Sequence, residues 1–558
     1  MCLLILLNLA YMHYEVYISN NGMSGVHVFS PPFFMIYDVL LSLLLFGTVT
    51  LCRQRLTFVL AYLLLLFFVV ANVVYSRFFY QYMPLHVFTE TGNLHGTWWH
   101  SYLPQAFRLQ DVFLLANVAA AFYVVKRIPT RQSWRGLVHL VTFIFAFSLF
   151  YAFLSYAHSL RSNKEFRFGP LNVRENMTRA VYNPAASIVN YGVIQGQLLY
   201  NALASLSTTT LNEKDAREID TFIEKRCADA GISGDSCKVS ANPNVVMIIL
   251  ESGLSAAVEE NIGGKDVMPN LKALTRQDGT YYNPHVLSNK GIGESSDAQV
   301  SYFTGLQPLS DEYAIMYVLK DSIIGLPSLL SKKGYATSIT IPNNEDFWHQ
   351  KELNEKYGFA HLYALGTVKN DFWCEDDEIF DSVIKNEKAL ARPFFHTILT
   401  LSMHGAYDME NEEIHHKVNL TFPANYSKQY RQYLIRCNFT DKQIGKYIDY
   451  MRREGLFDNT VLVIVSDHEP EGINMPLHKI RNNELPLIIV NSGIDTRKFS
   501  SKECNQVDLF PTLLDMMGIE SKWRGIGRSL LRDHDSYKLN DEEVRVSTNI
   551  LRGNYFAR

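Results

Sequence analysis

The sequence predicts two unlike halves: an N-terminal α-helical transmembrane bundle of about five helices, then a C-terminal α/β domain with a mostly parallel central sheet. Three observations carry this. The chain has 558 residues, too many for one ordinary core. Its long apolar runs crowd in front of about residue 160, whereas most acidic residues follow it. From Asn244 onward, short β-branched runs alternate with amphipathic stretches.

The apolar runs come first. Residues 34–51, 57–75 and 137–157 approach the roughly 20 residues that cross a bilayer as a helix. Run 112–125 is shorter and alanine-rich. Run 3–19 is apolar and N-terminal, as a signal peptide is, but lacks a basic start and a small-residue cleavage site. Arg53 and Arg55 follow the second run, and Lys126, Arg127, Arg131 and Arg135 follow the fourth. Basic loops stay in the cytoplasm, so five crossings put everything after residue 158 outside. The expected organisation is a bundle over 1–158, a helical extracytoplasmic linker over 159–240, a catalytic domain over 241–535 and a tail over 536–558. The net charge of −4 comes with no large basic patch, which argues against nucleic acid as a partner. Seven cysteines form no Cys-x-x-Cys pair, which argues against a structural zinc module. Cys227 and Cys237 are close enough in sequence to close a small loop in an oxidising compartment.

In the second half, Asn244–Leu250 is a continuous β-branched run, the pattern of a strand buried on both faces. Similar runs are 336–341, 394–401, 460–465 and 485–490, with an amphipathic helix over 426–453 that stops before Gly455. Ligands of parallel sheets gather at the carboxyl ends of strands. There the chain places Glu251 and Ser252, then Ser402 and His404, then Ser466, Asp467, His468 and Glu469. Carboxylates and imidazoles at one sheet edge make a ligand set for a divalent cation, although each alone also suits a helix cap or a solvated surface. A further loop, Gly291-Ile-Gly-Glu-Ser-Ser-Asp297, precedes a helical stretch. It serves equally as an N-cap and as a loop presenting a hydroxyl at a helix N-terminus.

The stretch from about Asn244 to Leu531 resembles the alkaline-phosphatase-like superfamily in its sulfatase-type branch, and there the lipoteichoic acid synthase-like membrane phosphoglycerol transferases. NVVMIILES matches that family's first strand, GESSDAQVSYFTGLQP its nucleophile loop, DFWHQ its pocket FW motif, TLSMHGAYD its LS-x-H motif and VIVSDHEP its S-D-H motif. QVDLFPTLLDMMGI, from Gln506, resembles its closing segment. The resemblance implies Ser295 as covalent nucleophile, and Glu251, Ser295, Asp467 and His468 as ligands of one divalent metal. It implies His404 as the pocket histidine and Trp348 as an aromatic wall.

The same resemblance implies transfer of a phosphoglycerol-type group from a phospholipid donor to an envelope glycan, lipid or polymer hydroxyl. It places the catalytic domain on the periplasmic face of a bacterial inner membrane. Mn²⁺ suits the oxygen-rich site best, with Mg²⁺ and Zn²⁺ as alternatives. Two departures bear on the head group: Gln350 stands where the family has arginine, and Ile341 where it has histidine. No x-Pro-x-Arg follows Ser295, so formylglycine formation and sulfate-ester chemistry are not expected. His478, ten residues beyond the Asp-His pair, is a candidate substrate contact. A phosphoethanolamine transferase and a phosphodiester hydrolase are the competing activities. Four Asn-x-Ser/Thr sequons, at Asn176, Asn419, Asn425 and Asn438, would matter only in a eukaryotic secretory pathway.

Overall fold

The computed structural model describes residues 2–13, 15, 55–79, 83, 107–126, 211–229, 239 and 242–558, apart from short stretches at 292, 311–312, 367–373, 406, 408–409, 471–472, 474, 476–480 and 482. The chain divides into two compact units, one from residues 1–91 and 100–207, the other from 92–99 and 208–558.

In the first unit, helices Cys2–His13, Arg55–Phe79 and Val112–Val125 pack against one another. A polar thread ties their apolar surfaces: Asn8 donates to the Tyr62 hydroxyl at 2.9 Å, and Asn117 donates to Asn8 Oδ1 at 2.7 Å. At one end Arg77 pairs with Glu15 at 2.9 Å and with Asp111 at 2.7 Å. Large apolar side chains such as Leu64 and Phe67 point outward. Among the described residues, no helix is long and apolar enough to cross a membrane. The predicted spans 34–51 and 137–157, and residues 159–210 of the expected linker, lie outside the described residues.

The second unit is built on an eight-stranded sheet. Its strands are β1 (Asn244–Leu250), β4 (Tyr281–Leu287), β5 (Ala336–Ile341), β6 (His361–Ala364), β7 (Phe394–Leu399), β8 (Thr460–Ser466), β9 (Glu484–Val490) and β10 (Cys504–Asn505), while β2 (Asn261–Ile262) and β3 (Lys265–Asp266) form a separate hairpin. The order across the sheet is β10-β4-β9-β8-β1-β7-β5-β6. Strands β8, β1, β7, β5 and β6 pair in parallel, and β9 alone runs against its neighbours β8 and β4. The central pair β1 and β8 is buried at every residue, which explains why both strands read as unbroken apolar runs.

Helix Lys428–Arg453 starts where the Ser427 hydroxyl accepts from the Tyr430 amide, and ends before Gly455 at φ 67°. It packs on helices Asp376–Glu387 and Pro269–Thr275. Its buried Asn438 donates to the Val267 carbonyl at 2.7 Å, and its Thr440 hydroxyl donates to Asp376. Residues 536–558 are largely helical, with Val546, Ile550 and Leu551 of helix Asp541–Gly553 buried. Cys227 is a free thiol that donates to the Lys522 carbonyl, and Cys237 lies outside the described residues.

Candidate active site and metal centre

Because β1, β7 and β8 are parallel neighbours, their carboxyl ends deliver Glu251, Thr400 and Asp467 to one edge. Each is then fixed by short local contacts. The Glu251 amide donates to the Thr400 hydroxyl at 2.9 Å. Asp467 Oδ1 accepts from the amides of Ser252 and His468, both at 2.7 Å. Ser252 Oγ donates to Glu251 Oε1 at 2.8 Å. The His468 Nδ1–H donates to the Glu469 carbonyl at 2.9 Å, which fixes the ring with Nε2 facing the site.

Ser295 arrives from the β4 side, as the first residue of helix Ser295–Thr304. Its Oγ donates to Glu251 Oε2 at 3.1 Å and lies 3.2 Å from His468 Nε2. Asp297 anchors the loop that presents it. Its Oδ2 accepts from the amides of Gly291 and Gly293, each at 2.8 Å. Neither glycine is replaceable: a Cβ on Gly291 would lie 1.9 Å from the Leu309 carbonyl oxygen, and one on Gly293 would lie 2.6 Å from Asp297 Oδ1. Burial pushes the Asp297 carboxyl up to about 7 against the pull of those two amides.

The electrostatics of the cluster are lopsided. Glu251, Asp467 and His468 each offer a ligand atom, and the three atoms lie within 4.8 Å of one another. Glu294 adds a third carboxylate, 3.6 Å from His468 Nδ1. Burial, then the neighbouring Asp467, drives the Glu251 carboxyl well above its ordinary range. For His468 burial acts downward, but Asp467, Glu294 and Glu251 outweigh it and hold the imidazole above its ordinary value. With Glu294 met by Lys290 at 2.8 Å, the carboxyl groups of Glu251 and Asp467 still outnumber the one imidazole. Oxygen donors with one Nε2 fit a divalent cation, and those residues are the ones that would hold it.

The β7 exit carries His404. Asp376 Oδ1 accepts from the amides of Leu401 at 2.7 Å and Ser402 at 3.2 Å, and the Arg436 guanidinium donates to the His404 carbonyl. His404 donates through Nδ1–H to the Gly405 carbonyl at 2.6 Å, so its Nε2 is the acceptor. Burial holds its imidazole below the usual value, and the charge of His468 adds to that.

Two predicted pocket residues follow β5: Trp348 in the 3-10 turn Phe347–His349, and Gln350 at the start of the helix Gln350–Tyr357. Trp348 packs on Tyr313 with ring centroids 5.2 Å apart. Gln350 is buried, with its Oε1 accepting from Asn354 at 3.1 Å. His478 lies outside the described residues.

Sequence reasoning passed over several residues. Lys290 bridges Glu294 at 2.8 Å and Glu469 at 3.5 Å beside the nucleophile. Gln506 donates to the carbonyls of Ser466 at 3.0 Å and Asp467 at 2.6 Å. Asp376 acts from 28 residues upstream of His404, and no local pattern marks it. Glu294 had a signal, its place directly before Ser295. The backbone offers another: of six non-glycine residues with positive φ among those described, Ser252, Glu294, Trp348 and His349 all stand on loops leaving the carboxyl ends of the sheet or entering the Ser295 helix.

The sulfatase family profile matches residues 243–519, which span β1 to the helix Leu509–Met516. Lipoteichoic acid synthase 2 of Bacillus subtilis is 22% identical over 501 residues, covering 84% of this chain and 73% of that protein. Lipoteichoic acid synthase of Staphylococcus saprophyticus is 22% identical over 509 residues, covering 85% and 74%. Among solved structures, the integral membrane lipooligosaccharide phosphoethanolamine transferase A of Neisseria meningitidis aligns over 93% of this chain and 96% of its own, at TM-score 0.55 and 14% identity, a likeness of fold. With the β1–β8 edge and its ligand set, these matches support a lipoteichoic acid synthase-like member of the alkaline phosphatase superfamily.

Proposed function

We propose that this chain is a membrane-anchored, metal-dependent transferase. It moves a phosphoglycerol group from a phospholipid donor to a hydroxyl of an envelope glycan, lipid or polymer, through a phosphoseryl intermediate on Ser295. The observation that carries the reading is the position of Ser295 Oγ, within hydrogen-bonding distance of both Glu251 Oε2 and His468 Nε2 at a site with surplus carboxylate. The likeness to lipoteichoic acid synthases supports the phosphoglycerol group and the glycan or polymer acceptor. The basic loops of the first half support an anchor that leaves the catalytic domain on the periplasmic side of a bacterial inner membrane.

A serine hydroxyl is a weak nucleophile until its proton is removed. Ser295 Oγ gives that proton to Glu251 Oε2 and forms the bond to phosphorus as the bond from phosphorus to the diacylglycerol oxygen breaks. The departing diacylglycerol oxygen takes its proton from solvent water. His404, neutral and with its lone pair at Nε2, then takes the proton of the incoming acceptor hydroxyl and passes it to solvent. The acceptor oxygen bonds to phosphorus as the bond from phosphorus to Ser295 Oγ breaks, and Glu251 returns its proton to the released serine. Bound at Glu251, Ser295, Asp467 and His468, a divalent cation, Mn²⁺ in the first instance, would lower the pKa of the serine hydroxyl and offset charge on the phosphoryl oxygens. Trp348 lines the head-group pocket in this reading, His478 is a further candidate substrate contact by its sequence position, and Gln350, held by Asn354, opens the helix that follows Trp348.

The test is to incubate the full chain with Mn²⁺ and fluorescent phosphatidylglycerol, and in parallel with phosphatidylethanolamine. Diacylglycerol release and a glycerophosphate mass on Ser295 are expected with the first lipid. Turnover confined to the second would replace the head group assigned here, and turnover that survives Ser295→Ala would overturn the covalent route.

A further inference from the structure

A groove of about 400 Å³ opens beside the β10 edge, behind the nucleophile loop. Its floor is Asn289 and Asn505, joined by an amide contact of 3.4 Å. One wall is a face of helix Asp541–Gly553, where Val544, Thr548 and Arg552 recur at every fourth residue and so line up on one side. Lys538 and Gln307 flank the opening.

Two features define what such a groove would take. Among the described residues its lining carries the basic side chains of Lys538 and Arg552 and no carboxylate, in a chain whose net charge is −4. The remaining polar groups are amides and hydroxyls, which recognise alcohols. That combination suits a ligand bearing both phosphates and free hydroxyls.

The floor is also wired to the reactive edge. The Asn289 amide donates to Gln506 Oε1 at 2.6 Å, and Gln506 Nε2 donates to the Asp467 carbonyl at 2.6 Å. Asn289 Oδ1 accepts from the Val507 amide at 3.1 Å. Lys538, Thr548 and Arg552 all lie beyond residue 519, where the sulfatase family match ends.

We propose that this groove seats the acceptor, an anionic, hydroxyl-rich phosphodiester chain. The assignment of the occupant as acceptor rests on the transferase reading above. The groove itself is tested by binding, without turnover. The probe is a synthetic glycerol phosphate tetramer, titrated into the full chain carrying Ser295→Ala in detergent micelles. Lys538→Glu, at an exposed position, should weaken tetramer binding about tenfold by reversing one contact charge. Thr548→Trp should abolish binding by filling the groove. Both variants should keep the parental melting temperature, and a phosphate-free glycerol oligomer should bind far more weakly than the tetramer. Absence of tetramer binding to the parent chain, or equal affinity in parent and folded Lys538→Glu, overturns the groove assignment. Neither result bears on donor turnover, which the phosphatidylglycerol assay decides separately.

Discussion

The sheet holds two buried clusters that pair a histidine with a glutamate, and they behave oppositely. At the carboxyl edge, Glu251 lies 3.5 Å from His468 Nε2. Midway along β7, His396 Nδ1 lies 4.0 Å from Glu387 Oε1, with Thr340 on its Nε2 at 2.9 Å and Tyr447 donating to Glu387 at 2.6 Å. Burial raises both glutamates, so a raised carboxyl does not by itself mark a functional site. The histidines separate them. His396 meets one carboxylate and is pushed by burial down to about 3, whereas His468 meets three and is held above its ordinary value. The inner pair is neutral and closed. The edge cluster, beyond the Glu294 charge that Lys290 meets, keeps carboxyl groups that a bound cation or protons would balance.

The largest effect that would sharpen this contrast is at the edge. Asp467→Asn keeps an acceptor for the amides of Ser252 and His468 but removes surplus charge. Transfer should fall by about 10³-fold or more, with loss of Mn²⁺ binding by calorimetry, while the metal-free protein melts at the same or a higher temperature. A lower melting temperature would break the comparison. Next comes the inner pair. Glu387→Ala strands the Tyr447 hydroxyl in the core and should cost about 2–3 kcal/mol in denaturant unfolding, with kcat per folded molecule unchanged.

The smallest effect is in pH dependence. Folded His396 stays neutral down to about 3 while the unfolded chain takes up a proton below 6.5, so its contribution is full above 6.5 and lost as pH falls. Folded Glu387 stays protonated up to about 7 while the unfolded chain loses its proton above 4.5, so its contribution is full below 4.5 and lost as pH rises. Between 4.5 and 6.5 the two slopes offset. His396→Phe unmasks Glu387, and stability should then decline from pH 4.5 to 7 by up to about 1.4 kcal/mol per unit. A flat profile in that variant would mean that Glu387 is charged in the fold.

The parts of the molecule that read directly from sequence are those written in local pattern. Strands β1, β5 and β8 announce themselves as buried β-branched runs, and the residues just past their ends fall at the sheet edge because parallel strands share a direction. Ser295 was ambiguous locally, since a helix cap and a nucleophile use the same hydroxyl at the same turn. Glu251 and His468 arrive beside it from strands 44 and 173 residues away along the chain. What stayed illegible is long-range by nature. Asp376 holds the His404 loop, Gln506 holds the Asp467 carbonyl, and the Lys538–Arg552 wall forms only when the last helix docks.

The burial of Asn438 has a practical corollary. This residue opens a glycosylation sequon with Thr440, yet its amide is spent on the Val267 carbonyl inside the helix packing, and Thr440 is spent on Asp376. An oligosaccharide transferred to the nascent chain would occupy that position before the helix closes over it, leaving no room for the native packing. Production in a eukaryotic secretory host should therefore yield trapped, misfolded protein, and Asn438→Gln would remove the acceptor. A bacterial expression host, without co-translational glycosylation at such sequons, is the compatible choice for this chain.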